Sequence, residues 1–314
     1  MYEQIARNKR RSVVYVFLFF AVWVGIGALV GLVAGGTSQP SSAASPSGTG
    51  ALVAGMLIAG LLAVGGILLS LRSGARLVLA VSGAHPADPV RYAAFHNIVE
   101  ALAIGEGIPK PAVYVIDDPS PNAFATGTSP ERAAISATTG LLEVMNREEL
   151  EGVIGHEMSH IKNFDVRLLL IVSTLIGLAG LLASLVWRAA FFMRPRGRDS
   201  GQIMIVVFAA GLLLGAVAVI FGPLIRLALS RRREELADVS GVELTRNPAG
   251  LISALRKLEQ NDQPFRKFNH ATAAMCIDDP LQHHESWFHR LFDTHPPISE
   301  RIAVLEQIAQ GNSV

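Results

Sequence analysis

The sequence has very little cysteine and very little charge. Its single cysteine, Cys276, excludes an intrachain disulfide and excludes a metal site built from several thiolates. Only 17% of the residues are charged and the net charge is +1, which gives no basis for a nucleic-acid partner. Half of the residues are hydrophobic, which is too large a fraction for an ordinary soluble domain.

Charge is almost absent from four apolar stretches. They cover residues 12–35, 51–71, 168–187 and 203–229. Each is about 20 residues or longer, which is enough for a helix to cross the roughly 30 Å hydrocarbon core of a bilayer. The first stretch is longer than the apolar region of a typical signal peptide, and a second follows it closely, so we expect an uncleaved anchor.

These stretches predict four divisions of the chain. They are an N-terminal membrane hairpin at 1–72, a polar block at 73–167, a second membrane hairpin at 168–229 and a second polar block at 230–314. Basic residues lie before the first stretch and after the second, while the connection at 36–50 has no charge. Basic flanks favour the cytoplasmic side, so we expect a multi-pass protein of the inner (plasma) membrane with both polar blocks in the cytoplasm.

The second hairpin follows the positive-inside rule less clearly than the first hairpin does. Its tip carries four arginines, Arg188, Arg194, Arg196 and Arg198, against the single acidic residue Asp199. This positive charge disfavours export of the tip. The third and fourth stretches therefore either cross fully against the bias or form a shallow, re-entrant pair.

The polar blocks show more helical than strand periodicity. Helices are predicted at 89–105, 141–145, 147–164, 230–246, 250–260 and 297–310, and strands at 111–116 and 132–137. The prediction is a mainly α-helical fold with a small β-sheet. The sequence carries no signal for an oligomeric state.

The helix predicted at 147–164 contains the sequence His-Glu-Met-Ser-His at 156–160. Residues four apart lie on one face of a helix, so His156 and His160 can bind the same metal ion. Glu157 then lies beside the metal, where it can take a proton from a metal-bound water. A catalytic zinc ion usually has three protein ligands, so one ligand must come from elsewhere.

Several residues are candidates for the third ligand. They are Glu234, Glu235, Asp238 and the later histidines, among them His283 and His284. Glu234 and Asp238 share a helix face, so one can bind the metal while the other supports the site. Glu235 points about 100° away from Glu234, so both are not expected to face the metal.

Four motifs in one order resemble those of the HtpX-type membrane zinc metallopeptidases, relatives of the CAAX prenyl proteases. They are Asn122 to Gly127, His156 to His160 with Asn163 and Asp165, Arg233 to Asp238, and Thr294 to Pro297 with Glu300 to Ile302. The resemblance spans roughly residues 71–302 and includes a hydrophobic hairpin between the two halves of the site. It implies a zincin-like cytoplasmic metallopeptidase domain on a multi-span membrane protein.

The resemblance also implies roles for individual residues. Glu234 is the implied third ligand of one Zn²⁺ per chain, and Asp238 takes a supporting role. His295 resembles a late histidine near the active site that stabilises the oxyanion, although a structural hydrogen bond at a helix start is an equal alternative. Arg301 either orients a carboxylate or lies on the surface.

A turn-bounded segment supplies a candidate site for substrate. Asn122, Ala123, Phe124, Ala125 and Thr126 are expected to form an exposed edge strand that pairs with an extended peptide. The alternative is an ordinary loop beside the core.

The sequence thus predicts a zinc-dependent endopeptidase in which Glu157 is the general base. Its expected partners are protein or peptide substrates and the lipid bilayer, and the resemblance implies cleavage of misfolded or membrane proteins. One alternative is a prenyl-protein protease, although four spans are fewer than those relatives have. Another is a non-proteolytic membrane protein with a structural zinc site.

Overall fold

The structure is a computed structural model. It describes residues 2–37, 48–192, 201, 204–205, 207–213, 215, 231–260, 277 and 297–310. The described residues are mostly helical with one small mixed sheet, so the predicted mainly α-helical fold with a small β-sheet is confirmed.

Two long helices contain the first two apolar stretches. Helix α1 is Tyr2–Thr37 and helix α2 is Gly48–Val81, each longer than the stretch that predicted it. Segments Asn8–Leu32 and Thr49–Val81 are long and apolar enough to cross a membrane, and only 17% of the most apolar window of each is buried in the protein. Such exposed apolar surface distinguishes these helices from the buried core helices of a soluble protein.

Small residues bring these two helices into close contact. A Cβ atom added to Gly27 would overlap the carbonyl oxygen of Gly55, and one added to Gly31 would overlap that of Ala51. Glycine spaced four residues apart is typical of helices that pack closely in lipid. The pairing of α1 with α2 therefore depends on the absence of side chains at these positions.

The sheet belongs to the first polar block. Strands β1 (Ala84–Pro86), β2 (Ala112–Ile116), β3 (Ala123–Gly127) and β4 (Ala133–Thr138) are arranged in the order β1-β2-β4-β3. Strands β2 and β4 are parallel, and the other two pairs are antiparallel. The short strand β1 was not predicted, because three residues that include a proline have no detectable periodicity.

Seven further helices are described. They are α3 (Ala93–Glu106), α4 (Thr139–Val144), α5 (Arg147–Lys162), α6 (Asp165–Phe192), α7 (Arg231–Thr245), α8 (Pro248–Glu259) and α9 (Ile298–Ala309). Helix α5 is the centre of this group, since α3, α7, α8 and β3 all pack against it. Helix α6 contains the third apolar stretch. The fourth stretch lies largely outside the described residues, so the crossing of the second pair stays a prediction.

The chain divides into two compact units. Unit 1 comprises 1–11, 73–173 and 223–314, and unit 2 comprises 12–72 and 174–222. The sequence placed all of 1–72 in a membrane hairpin. In the structure the first eleven residues pack with unit 1, where Asn8 makes buried hydrogen bonds.

Candidate metallopeptidase active site

The start of α5 is fixed by a capping box. The side chain of Asn146 accepts a hydrogen bond from the Glu149 backbone N–H, and the Glu149 carboxylate accepts one from the Asn146 backbone N–H. These contacts satisfy backbone donors that the first turn of a helix leaves without partners. The capping box therefore sets where α5 begins, and the start of the helix sets where its later side chains point.

The middle of α5 is buried although it is polar. His156, Glu157, Ser159 and His160 are each no more than 6% exposed. Burying so many polar groups in one helix is costly unless they are paired with one another or with a ligand. This cluster is therefore the strongest candidate for a functional site among the described residues.

Helix α7 approaches α5 closely enough to add a third group. A Cβ atom on Gly241 would lie 2.9 Å from the backbone nitrogen of His156, so a larger residue there would separate the two helices. This close contact places Glu234, which is fully buried, opposite the two histidines. Glu235 is exposed on the other side of α7, as the 100° rotation between neighbours requires.

The three predicted ligands form a compact triangle. The Nε2 atoms of His156 and His160 are 3.1 Å apart, and each lies 3.6 Å from a carboxylate oxygen of Glu234. A tetrahedral zinc ion with bonds near 2.0–2.1 Å separates neighbouring ligand atoms by roughly 3.3 Å. The donor set and its spacing therefore fit a zinc ion held by two imidazoles and one carboxylate.

A buried carboxylate lies behind each histidine. His156 Nδ1 is 2.8 Å from Asp238 Oδ1, and His160 Nδ1 is 3.3 Å from Asp165 Oδ2. A neutral imidazole has one proton, and a carboxylate at Nδ1 keeps the proton on that nitrogen. When both rings are neutral, both Nε2 atoms present lone pairs toward each other and toward Glu234, an arrangement that is repulsive unless a proton or a metal ion lies among them.

Arg301 holds the carboxylate behind His156. It is 2% exposed, and its Nε and Nη2 atoms donate to the two oxygens of Asp238 at 2.9 and 2.7 Å. Of the two alternatives that the sequence left open for Arg301, the structure shows a buried residue that orients a carboxylate. The guanidinium also keeps the pKa of Asp238 low, at about 2, although burial alone would raise it.

The two histidines differ in how readily they bind a proton. Burial, and then the positive charge of Arg301, lower the pKa of His156 to about 4. Burial opposes protonation of His160 as well, but Asp165, Glu234 and Glu157 outweigh it and raise the pKa of His160 to about 9. At neutral pH the metal-free site therefore holds a proton on His160, which a metal ion must displace.

Comparisons with known proteins show the family to which the chain belongs. Residues 89–309 match the model of peptidase family M48. The chain belongs to peptidase family M48. It is 42% identical to a protein named Protease HtpX homolog from Streptococcus mutans, over 98% of this chain and all of that one. A protein of the same name from Levilactobacillus brevis is 40% identical with the same coverage. The crystal structure of S. mikatae Ste24p matches with a TM-score of 0.49 at 19% identity, over 78% of this chain and 57% of that one.

The resemblance to HtpX-type peptidases is thus confirmed, and the chain is a metallopeptidase. The two long apolar helices agree with its being a membrane member of the M48 family. Metal dependence follows from the family, and the His156, His160 and Glu234 cluster could hold the metal ion.

The candidate substrate strand of this M48 peptidase is an edge strand but is not exposed. Strand β3 ends the described sheet, yet its residues from Ala123 to Thr126 are at most 3% exposed. The prediction of an exposed strand was wrong because α5 packs against β3 and the backbone N–H of Ile277 donates to the Ala123 carbonyl at 3.0 Å. Asn122 lies just before the strand and is also buried.

Sequence reasoning missed a buried contact beside the His160 side chain, and several of its candidate residues lie outside the described residues. It named Asp165 within the motif without a role, and it did not consider Asn8. Their contact joins positions 157 residues apart, so no local sequence pattern could indicate it. His295 lies outside the described residues, as do His283 and His284.

Proposed function

We propose that this protein is a zinc-dependent endopeptidase of the inner (plasma) membrane that cleaves misfolded or membrane proteins on the cytoplasmic side. The observation that carries the proposal is the convergence of His156 Nε2, His160 Nε2 and the Glu234 carboxylate. Three electron-rich groups buried within 4.8 Å of one another are stabilised by a proton or a metal ion among them, and the donor set matches that of a catalytic zinc site.

The remaining roles follow from the position of each residue. A bound zinc ion lowers the pKa of water and polarises the substrate carbonyl. Glu157 follows His156 on α5 and is 2% exposed, so its carboxylate has little water around it. It takes the proton from the attacking water and delivers it to the leaving nitrogen of the peptide.

Strand β3 is buried, but its outer backbone edge is the part of the sheet that could align a substrate. The Asn122 carbonyl accepts from the Thr138 backbone N–H, so residues 122, 124 and 126 direct their backbone groups toward β4. Ala123, Ala125 and Gly127 direct theirs to the outer edge, which agrees with the bond from Ile277 to Ala123. We propose that an extended peptide pairs with this outer edge beside Ala125 and Gly127 and displaces the contacts that bury it.

The charge pattern supports the cytoplasmic side. Basic residues Lys9, Arg10 and Arg11 lie at the start of the first apolar helix, and Arg72 and Arg76 lie near the end of the second. Under the positive-inside rule both ends of this hairpin are cytoplasmic, and unit 1 is continuous with both.

The proposal is tested with the full-length protein in detergent, denatured casein as the probe, and the substitution Glu157→Gln. We expect the wild-type protein to cleave casein, to lose activity with a zinc chelator and to regain it with Zn²⁺. Glu157→Gln is expected to bind about one zinc per chain and to cleave at least about 100-fold more slowly, because it lacks the base but keeps the ligands.

Other outcomes separate the alternatives. Zinc bound stoichiometrically without any cleavage would favour a structural zinc site and reject the peptidase. Cleavage of a prenylated peptide but not of casein would favour the prenyl-protein protease. Normal cleavage by Glu157→Gln would reject Glu157 as the base.

A further inference from the structure

Asp165 is a second buried carboxylate beside the metal ligands, and it is held by an unexpected partner. It is 2% exposed, and its Oδ2 atom lies 3.3 Å from His160 Nδ1. Its other oxygen, Oδ1, accepts a 2.7 Å hydrogen bond from the side chain of Asn8. Asn8 lies in the first turns of α1, just before the apolar part of that helix.

The backbone between α5 and α6 brings Asp165 back toward His160. Helix α5 ends at Lys162, α6 begins at Asp165, and Phe164 between them has a left-handed backbone with φ of 60°. A non-glycine residue in this region is strained and persists where surrounding contacts hold it. The sharp turn therefore needs support from other parts of the chain.

Asn8 supplies part of that support with a single amide group. Its Nδ2 atom donates to the Asn163 carbonyl at 2.9 Å as well as to Asp165. Both partners are acceptors, so the amide must present its NH₂ group to them. Asn8 is 1% exposed, and it connects Asn163, the residue that follows α5, with the carboxylate that faces His160.

The arrangement is parallel to that behind His156. There Arg301 fixes Asp238, and Asp238 faces the Nδ1 atom of the ligand. Behind His160, Asn8 fixes Asp165, with Arg233 Nη1 3.6 Å from the same oxygen. Each ligand histidine thus has a carboxylate, and each carboxylate is held by donors from distant parts of the sequence.

We propose that Asn8 is a positioning residue of the metal centre, acting through Asp165 on the orientation of His160. The cytoplasmic end of the first membrane helix is then a part of the metal site as well as an anchor. Processing that removed α1 would remove Asn8 too. This inference rests on the proposed zinc site.

The test measures metal binding by the full-length protein in detergent. Zinc affinity is measured by competition with a chelating indicator, and the visible absorption of the Co²⁺-loaded protein reports ligand geometry. We expect Asn8→Leu to weaken zinc binding by about 10- to 100-fold and to change the Co²⁺ spectrum, as is usual when the support of a ligand is lost. Asn8→Ser is a milder variant whose side chain is too short to reach Asp165, and it is expected to act in the same direction.

Lys9→Ala is the matched control. The Lys9 ammonium lies over the ring of Phe164, 4.3 Å from its centroid, so it joins the same helix to the same turn without contacting Asp165. We expect Lys9→Ala to bind zinc like the wild-type protein. If it weakens binding as much as Asn8→Leu does, Asn8 serves only to attach the helix and the inference is wrong.

A double substitution tests whether Asn8 acts through Asp165. In an Asp165→Ala background, Asn8→Leu is expected to change zinc affinity by less than about twofold, because the carboxylate that it holds is absent. If the effects of the two substitutions on the free energy of zinc binding were fully additive, the inference would be contradicted. A wild-type protein that binds no zinc would reject the proposed function itself, whereas zinc binding that is equal in wild type and both Asn8 variants would reject only the role of Asn8.

Discussion

At the scale of single residues, the two ligand histidines are supported by groups of different charge. A cationic guanidinium lies behind Asp238, whereas a neutral amide holds Asp165 together with the more distant Arg233. Burial lowers the pKa of His156 and the positive charge of Arg301 lowers it further, whereas at His160 the carboxylates of Asp165, Glu234 and Glu157 outweigh burial and raise the pKa. A metal ion entering the site therefore competes mainly with the proton on His160, and its apparent affinity should fall as the pH is lowered.

The two neighbouring glutamates of α7 allow a matched test of the third ligand. Glu234 is fully buried in the cluster and Glu235 is exposed. We expect Glu234→Ala to reduce bound zinc from about one per chain to near zero after dialysis, because only two protein ligands remain. Metal analysis of the purified protein measures this ratio.

Glu235→Ala removes the same charge from the same turn of the helix and serves as the control. It is expected to keep the wild-type ratio of zinc to protein. Equal zinc contents in the two variants would reject Glu234 as a ligand and would favour Asp238 as the third ligand.

Site residues could be predicted when their contacts lie close together in the sequence and could not when the partners are far apart in it. His156, Glu157 and His160 were predicted from spacing within one helix, and the pairing of Glu234 with Asp238 from the same rule. The proximity of Asp165 to His160 depends on the left-handed turn at Phe164, which no periodicity indicates. Asn8 was missed because its partners lie more than 150 residues away.

At the scale of elements, helices were predicted best because their signals are local. The start of α5 at Arg147 was predicted, and it coincides with a capping box that the sequence encodes within four residues. The burial of β3 was not predicted, because alternation within a strand says nothing about the helix that will cover it. The three-residue strand β1 exists only through its pairing with β2.

The capping box of α5 predicts a pH-dependent effect on stability. Burial would raise the pKa of Glu149, but the Lys257 ammonium at 2.6 Å, the Ser253 hydroxyl at 2.7 Å and the Asn146 backbone N–H hold it below 4.5. The stabilisation is therefore complete above pH 4.5 and is lost as the pH falls through the folded-state pKa. We expect Glu149→Gln to lower the free energy of unfolding by about 1–3 kcal/mol at pH 7.

Thermal unfolding of the metal-free protein between pH 7 and pH 3 measures this effect. The difference in Tm between wild type and Glu149→Gln should be constant down to about pH 4.5 and should shrink below it. Glu148→Gln removes the same charge from an exposed position in the same turn and should have a small effect throughout. If the Tm difference persists at low pH, the loss of stability in Glu149→Gln comes from packing and not from the charge of Glu149.

At the scale of the whole molecule, the second hairpin must return to the side that it left. His160 and Glu234 lie in one buried cluster, yet 74 positions separate them and two apolar stretches occupy most of that interval. A single crossing would put the two ligands on opposite sides of the bilayer. The third and fourth stretches must therefore both cross or both remain on one side, whatever the arginines at the tip favour.

The single cysteine makes this topology measurable. In a Cys276→Ser background, new cysteines at Ser42, Val90 and Ser200 sample the first connection, unit 1 and the tip of the second hairpin. Val90 is 86% exposed, so a thiol there is accessible once the reagent reaches its compartment. A membrane-impermeant maleimide is expected to label Ser42→Cys in intact cells and to label Val90→Cys only after permeabilisation.

The outcome at residue 200 decides between the two arrangements of the second hairpin. Labelling of Ser200→Cys in intact cells would show two full crossings, with the energetic cost of exporting four arginines offset by the apolar stretches on either side. Labelling only after permeabilisation would show a re-entrant pair that stays near the cytoplasmic face. Labelling of Val90→Cys in intact cells would contradict the cytoplasmic site, because unit 1 contains both Val90 and the metal ligands and therefore lies on one side of the membrane.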